Sequence, residues 1–185
     1  MLSAGCLAFS APQDPEVATM LEAEARRLGA ELRWVAPLAA PEAGGPELGL
    51  PGMVQRSNGA VAVAMARALA ERGWPRPEAP LSEAAILAGL AAARWPGRLE
   101  TRHFRGVPLL LDGAHNPPAA VVLRRELDRL GGGGRTWLIG IQRHKDGAAV
   151  LRALLGPEDR ALVVPIPDHR AWSLDELAAA CPDLA

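Results

Sequence analysis

The stretch Val107-Pro108-Leu109-Leu110-Leu111-Asp112-Gly113-Ala114-His115-Asn116-Pro117 (VPLLLDGAHNP) decides the fold of this 185-residue chain. Its apolar first half has the length of a buried strand, and the residues after it, 118–130, have the periodicity of a helix. A buried strand followed directly by a helix is the repeating unit of a parallel α/β sheet. We therefore predict a Rossmann-like domain with a mostly parallel sheet around this stretch.

The alternation of strands and helices extends in both directions from the stretch. Between the predicted elements, residues 36–52 and 74–80 are rich in Gly and Pro and are expected to be loops. We predict strands at 6–12, 31–35, 99–104, 137–141 and 161–164, and helices at 15–28, 55–72, 82–93, 146–155 and from 173 onward.

Short polar signals mark where several of these helices begin. Asp14 is a predicted cap followed by Pro15 at the first helical position, and Ser82 is a predicted cap for a later helix. Ser173 and Glu176 have the spacing of a capping box. The composition changes at 94–97 (RWPG), which predicts a domain boundary there.

The bulk composition excludes several classes of protein. Hydrophobic residues make up 49% and charged residues 22%, and the net charge is −1, so neither a nucleic-acid-binding surface nor a membrane protein is predicted. The two cysteines, Cys6 and Cys181, have no zinc-ligand or disulfide-framework spacing. We expect a protein of the reducing cytoplasm.

The polar residues that follow the apolar run occupy a position suited to ligand binding. In parallel sheets, ligands collect beyond the carboxyl ends of strands, where the next helix offers backbone N–H groups. Asp112 can accept hydrogen bonds from sugar hydroxyls, and His115 and Asn116 can donate to phosphate oxygens. The alternative is that Asp112 and Asn116 only form a turn and cap the helix.

Three further motifs accompany this stretch. ARWPGRLE (93–100), together with LDGAHNPPAA (111–120), resembles the carboxy-terminal domain of folylpolyglutamate synthase and dihydrofolate synthase, members of the Mur ligase superfamily. LPGMVQRSNGA (50–60) is similar to the family's GLPGxHQxxNA stretch, which ends its central ATPase domain. SAPQDPEV (10–17) is similar to the strand-to-helix passage before it.

The resemblance implies both a domain arrangement and a reaction. Residues 1–93 are expected to be a remnant of the central α/β ATPase domain, and residues 94–185 the Rossmann-like carboxy-terminal ligase domain, short at its end. In the family, ATP with Mg²⁺ phosphorylates a carboxylate, and the nitrogen of L-glutamate attacks the acyl phosphate. A folate or dihydropteroate thereby gains a glutamate.

The resemblance also implies roles for individual residues. Asn58 matches the adenine-contacting asparagine, and Arg98 and Asp112 match the pair that holds the ribose and adjoining phosphate. Asn116 matches a position that closes over the phosphates. His115 matches the other such position and is the expected catalytic residue.

Weaker matches suggest contacts with the substrate. Lys145 and Asp146 lie in GIQRHKD (140–146), which resembles a family passage ending in Asp-Lys-Asp, and are candidates to orient a substrate carboxylate. A helix cap by Asp146 beside a solvated Lys145 is an equal alternative. His169 and Arg170 resemble the family's substrate-side loop, with a plain exposed loop as the alternative.

The chain departs from the family pattern in its phosphate-binding parts. It contains no G-x-x-x-x-G-K-[ST] loop, and the magnesium ligands of the family are expected mainly before residue 1. Val54 and His144 also replace the usual His and acid. We expect a ligase portion that is inactive without an amino-terminal domain. The alternatives are a noncatalytic nucleotide-binding or assembly module and a fragment of a cell-wall Mur ligase.

Overall fold

The computed structural model describes residues 2–184, which form two compact units that divide after Leu109. This division differs from the domain boundary near residue 94, which remains a prediction about the family's domains. The strands are β1 (Leu7–Ser10), β2 (Glu31–Trp34), β3 (Pro75–Arg76), β4 (Ala79–Pro80), β5 (Glu100–Phe104), β6 (Val107–Leu111), β7 (Thr136–Ile139) and β8 (Arg160–Val163). The helices are α1 (Pro15–Leu28), α2 (Val54–Glu71), α3 (Glu83–Ala92), α4 (Pro117–Leu130), α5 (Gly147–Leu154) and α6 (Leu174–Ala180).

The first unit is built on a β-α-β motif. β1 and β2 pair in parallel, with Leu7 opposite Glu31, and α1 connects them as predicted. Gly29 ends α1 in the left-handed conformation at φ 62°, which favours glycine because it has no Cβ. The buried apolar side chains of this unit come from three helices and are Ala25, Ala60, Val63, Ala68 and Ile86.

A buried arginine on α2 holds the long loop 36–52 in place. Arg56 is 8% exposed, and its Nη1 donates to the carbonyl oxygens of Ala39 at 3.0 Å and Pro46 at 2.5 Å. Its own carbonyl accepts from the N–H of Leu38 at 3.2 Å. Each of these bonds satisfies a backbone group of the loop, so the loop has a defined path although it contains only one short 3₁₀ turn, Pro41–Ala43.

Strand β6 is less buried than its apolar sequence predicts. β5 and β6 form a two-stranded sheet joined by Arg105 and Gly106, whose φ angles are both positive, as a two-residue hairpin turn requires. Val107 is 58% exposed and Leu111 is 44% exposed. The expectation of a buried strand is therefore wrong here, because within residues 2–184 β6 pairs with β5 alone.

The second unit contains a second parallel strand pair with helices packed on it. β7 and β8 pair in parallel, with Leu138 opposite Leu162, and α4 and α5 pack against each other. Its most deeply buried side chains include Val150, Leu177 and Cys181. The α/β fold class predicted from the sequence is confirmed, although the strands within residues 2–184 form separate two-stranded sheets and not one continuous sheet.

Most of the predicted helix signals are present. The Ser82 hydroxyl accepts from the N–H of Ala85 at 3.2 Å, and both bonds of the Ser173–Glu176 capping box are formed. Asp14 is the N-cap residue of α1, as predicted, but its side chain makes no capping hydrogen bond, and its backbone carbonyl accepts from the N–H of Ala18 at 2.9 Å. None of the helices in residues 2–184 has the length and hydropathy needed to cross a membrane.

Candidate functional site

The loop after β6 is organised by its own side chains. Asp112 Oδ1 accepts from the N–H of Ala114 at 2.8 Å, and His115 Nδ1 lies 2.8 Å from the carbonyl oxygen of Gly113. Because a carbonyl only accepts, Nδ1 of His115 carries the hydrogen, and Nε2 is the ring nitrogen available to a ligand. The His115 ring is exposed, and Asp112 is half-buried.

The start of α4 differs from what the sequence suggests. Asn116 Oδ1 accepts from the N–H of Ala119 at 3.0 Å, and the Asn116 carbonyl accepts from Ala120 at 3.0 Å. Pro117 and Pro118 have no N–H at all. The expectation that this helix offers N–H groups to a ligand is thus wrong for its first turn, and the turn-and-cap geometry is confirmed. The cap uses only the side-chain oxygen of Asn116, so its Nδ2 group takes no part in the cap.

Asn58 lies on α2 in the first unit, at a small apolar cavity. It is exposed, and its Nδ2 donates to Gln55 Oε1 at 3.0 Å. A Cβ at Gly59 would meet Leu38 and Leu90 at 3.2 Å, so the glycine allows α2 to approach the loop and α3 closely. The cavity measures about 190 Å³ and is lined by Leu48, Leu50, Gln55, Asn58, Gly59, Ala62, Leu90 and Ala93.

Arg98 lies in the turn that precedes β5, also in the first unit. The turn is closed by the N–H of Gly97, which donates to Glu100 Oε2 at 2.8 Å. That bond is the main cause of a pKa of Glu100 below its usual range, with the nearby Arg102 adding to it. The Arg98 side chain is exposed. Its convergence with Asp112, which belongs to the second unit, remains a prediction.

A cationic pocket of about 350 Å³ lies in the second unit, lined by Gln142, Arg143, His144, His169 and Arg170. Two loops form it, and backbone bonds join them. The Arg143 N–H donates to the Arg170 carbonyl at 2.9 Å, and a bridge pairs Gln142 with Ala171. The structure thus brings together His169 and Arg170, both expected from the sequence, with residues of the 140–146 loop.

Lys145 and Asp146 lie beside this pocket but do not line it. Asp146 Oδ1 accepts from the N–H of Ala149 at 3.0 Å and caps α5, so the capping alternative is confirmed. Lys145 is half-buried, and its carbonyl accepts from the indole N–H of Trp172 at 3.0 Å. A direct substrate role for these two side chains remains a prediction.

Arg143 is a candidate functional residue that the sequence reasoning missed. Its guanidinium carbon lies 3.6 Å from the ring centroid of Trp172, and its Nε donates to Glu176 Oε1 at 3.3 Å. The pKa of Glu176 lies below its usual range, first because the Ser173 N–H binds it and then because of the Arg143 charge, while burial acts in the opposite direction. A sequence signal that could have pointed to Arg143 is Arg170, a second arginine that lines the same pocket from the facing loop.

Residues 98–167 match the family model described as dihydrofolate synthetase, C-terminal domain. The matched range contains most of the candidate residues described above. These are Arg98, Asp112, His115, Asn116, Arg143, Lys145 and Asp146.

The chain is also similar to individual folylpolyglutamate synthases. The folylpolyglutamate synthase of Lacticaseibacillus casei is 36% identical over 122 residues, which are 65% of this chain and 27% of that protein. The Mycobacterium tuberculosis folylpolyglutamate synthase in complex with ADP has a TM-score of 0.77 at 26% identity over 96% of this chain and 42% of that one. The bifunctional enzyme of Yersinia pestis, in complex with AMPPNP and Mn, has a TM-score of 0.69 at 27% identity over 96% and 43%. The chain therefore spans less than half the length of these proteins.

Proposed function

Because the chain belongs to the folylpolyglutamate synthase and dihydrofolate synthase family, we propose that it is the carboxy-terminal portion of an ATP-dependent ligase. The complete enzyme adds L-glutamate to dihydropteroate or to a folate through an acyl phosphate. The portion is inactive by itself, and an amino-terminal domain supplies the phosphate-binding loop.

The observation that carries this proposal is the loop from Asp112 to Asn116, which lies inside the matched range. It places a carboxylate, an imidazole and an amide within one short connection between β6 and α4. The contacts to Gly113 and Ala114 fix the loop without using His115 Nε2 or Asn116 Nδ2. These two nitrogens suit phosphate oxygens, because Asn116 Nδ2 donates hydrogen bonds and His115 Nε2 donates one when the ring is protonated.

The remaining nucleotide contacts come from the first unit. The apolar cavity beside Asn58 suits a flat heterocyclic base, since such sites combine apolar walls with a few polar groups that fix orientation. Arg98 and Asp112 are assigned to the ribose and its phosphate, because a guanidinium and a carboxylate together can bind a phosphate and vicinal hydroxyls.

His115 is the residue that we assign to catalysis. With Nδ1–H directed to the Gly113 carbonyl, the imidazolium form donates from Nε2 to an oxygen of the transferring phosphoryl group. A fixed donor stabilises charge that develops during the transfer, and it does so without reorganising. Asn116 contributes its amide in the same way.

The Mg²⁺ that such a transfer uses is assigned to ligands of the amino-terminal domain. Within residues 2–184, no group of three or more His, Cys, Asp and Glu side chains is arranged to hold a metal ion. In such a transfer, Mg²⁺ neutralises phosphate charge.

The cationic pocket of the second unit is assigned to the carboxylates of L-glutamate. Arg143 and Arg170 both line it, with His144 and His169 beside them. Arginine is suited to this role because its terminal amino groups bind a carboxylate through two parallel hydrogen bonds. Lys145 and Asp146 are assigned to the edge of the same site.

The test joins the chain to the amino-terminal portion of the M. tuberculosis relative and measures ATP-dependent incorporation of labelled L-glutamate into dihydropteroate or tetrahydrofolate. We expect turnover by the hybrid and none by the chain alone. His115→Ala in the hybrid should lower turnover by about a hundredfold or more, the usual size of such a loss. His103→Ala is the matched control, because His103 is an exposed histidine of β5 and turnover should not change.

Each other outcome contradicts part of the proposal. Turnover by the chain alone would contradict the proposal that this portion is inactive by itself. Full activity of the His115→Ala hybrid would show that His115 is not a catalytic residue. A folded hybrid that binds ADP but incorporates no glutamate would favour the noncatalytic nucleotide-binding module.

A further inference from the structure

The side chain of Arg143 is held on two sides. Trp172 covers one face of the guanidinium at 3.6 Å, and Glu176 takes the Nε hydrogen at 3.3 Å. Among residues 2–184, neither terminal amino group of Arg143 has a hydrogen-bonding partner. The arginine therefore has a fixed plane and two donors still available in the pocket that it lines.

Trp172 is itself anchored firmly. Its indole N–H donates to the Lys145 carbonyl at 3.0 Å, and its backbone N–H donates to the Ile141 carbonyl at 2.9 Å. A Cβ at Gly147 would lie only 2.9 Å from the indole nitrogen, so α5 packs directly against the ring. The ring cannot rotate away from Arg143 without breaking the bond to Lys145.

The carboxylate of Glu176 caps helix α6 with one oxygen and binds Arg143 with the other. Its Oε2 accepts from the backbone N–H of Ser173 at 3.0 Å, which is one half of the capping box of α6. Its Oε1 accepts from Arg143. The carboxylate is thus oriented by the helix that it caps, and this orientation is passed on to the guanidinium. A long, flexible arginine loses less conformational freedom on binding when it is already held in this way.

We propose that Trp172 and Glu176 are positioning residues that hold Arg143 ready to bind a carboxylate of the amino-acid substrate. This inference rests on the proposed function, because it takes L-glutamate as the ligand of the pocket. Neither residue touches the substrate. Each acts through Arg143, by stacking on its plane or by taking its Nε hydrogen, and leaves the terminal amino groups to form a two-pronged contact.

The test measures binding of L-glutamate to the full chain by NMR titration, without the added amino-terminal portion of the hybrid. Trp172→Leu should weaken binding by about tenfold, because it removes the stacking surface, and Trp172→Phe should retain most of the affinity. Glu176→Met should weaken binding severalfold, since methionine fills similar space but cannot accept the Nε hydrogen of Arg143. Ser173→Ala is the control: it removes the hydroxyl that accepts from the N–H of Glu176 but keeps the backbone N–H that orients the Glu176 carboxylate, and affinity should not change.

A double-mutant cycle separates positioning from general damage to the fold. In an Arg143→Ala background, Trp172→Leu should have no further effect on L-glutamate binding, because the group that it positions is gone. An equal loss in both backgrounds would overturn the proposal, and so would a folded wild-type chain that does not bind L-glutamate. If Trp172→Leu does not fold, the same double-mutant cycle is measured with Glu176→Met in place of Trp172→Leu, and it tests the same positioning role.

The outcomes also separate this inference from the proposed function. If the hybrid enzyme is active and its KM for L-glutamate does not change when Trp172 or Glu176 is substituted, the inference is overturned and the proposed function stands. If the hybrid shows no turnover but its L-glutamate binding is weakened by Trp172→Leu, the proposed function is overturned and the positioning role stands.

Discussion

Arg124 and Asp159 form an ion pair of 2.7 Å, between Nη1 and Oδ2, that joins helix α4 to the segment before β8. The Asp159 side chain is 3% exposed and accepts three more hydrogen bonds, from the N–H groups of Gly156 and Arg135 and from the indole of Trp137. Burial by itself raises the pKa of this carboxyl. The four donors outweigh burial and lower the pKa of Asp159 from 3.8 to about 2.

The first prediction concerns acid stability. A carboxyl whose pKa is lower in the folded state stabilises the fold above its unfolded pKa of 3.8, and this contribution is lost as the pH falls toward about 2. Asp159→Asn should therefore lower the free energy of unfolding at pH 7 by about 2 kcal/mol and flatten its dependence on pH between about 4 and 2. Urea unfolding at several pH values measures both effects.

The control for that experiment is Asp128→Asn. Asp128 also pairs with Arg124, at 2.9 Å, but its side chain is 52% exposed, and exposed pairs contribute little. Equal losses of stability in the two variants would show that burial of Asp159 has no special effect.

The second prediction concerns the loop 36–52. Arg56→Met should remove the donors that satisfy the carbonyls of Ala39 and Pro46, at a cost of about 2 kcal/mol, since buried polar groups would lose their partners. Limited proteolysis should then cut the loop faster. Arg67→Met is the matched control, because Arg67 lies on the same helix but is 54% exposed in its pair with Glu83. An unchanged cleavage rate in Arg56→Met would contradict the anchoring role.

The third prediction compares two glycines that respond in opposite directions. Gly147→Ala should destabilise the second unit by about 1–3 kcal/mol, because the new Cβ would lie 2.9 Å from Trp172 and 3.0 Å from Leu177. Gly89→Ala should stabilise the first unit by about 0.5–1 kcal/mol, since Gly89 is helical with nothing within 4 Å of a Cβ. Thermal unfolding of both variants tests the contrast, which is lost if both shift the same way.

The fourth prediction concerns the burial of α6. Leu177 is 2% exposed, and Leu177→Ala should cost about 2–4 kcal/mol through lost burial and a cavity. Leu174 begins the same helix but is 61% exposed, so Leu174→Ala should change stability by less than about 0.5 kcal/mol. Denaturant unfolding followed by circular dichroism measures the difference, and similar values for the two leucines would be inconsistent with α6 packing on the second unit.

Features that depend on neighbours in the chain could be predicted from the sequence. Ser82, Ser173 and Asn116 cap their helices, and in each case the partner N–H lies only three residues away. Gly29 ends α1 for an equally local reason. The position of the candidate loop after β6 was also predictable, because a strand, a loop and a helix follow one another directly.

Features that depend on distant residues could not be predicted. Arg143 meets Glu176, 33 residues away, and Arg56 meets carbonyls 10 and 17 residues away, distances at which sequence pattern gives no guide to contact. The exposure of β6 depends on which strands lie beside it, and an apolar run alone does not determine that. The assignment of Arg98 and Asp112 to one nucleotide rests on the motif and stays a prediction.

The two cysteines differ in how a thiol reagent can reach them. Cys181 is 2% exposed and its Sγ lies 3.7 Å from the Ala148 carbonyl, so a thiol reagent reaches it only when the second unit opens. Cys6 is half-buried beside β1 in the first unit. Cys6 can react without such an opening, so mass spectrometry of a single labelling time course yields an opening rate for the second unit, with Cys6 in the same sample reporting the activity of the reagent.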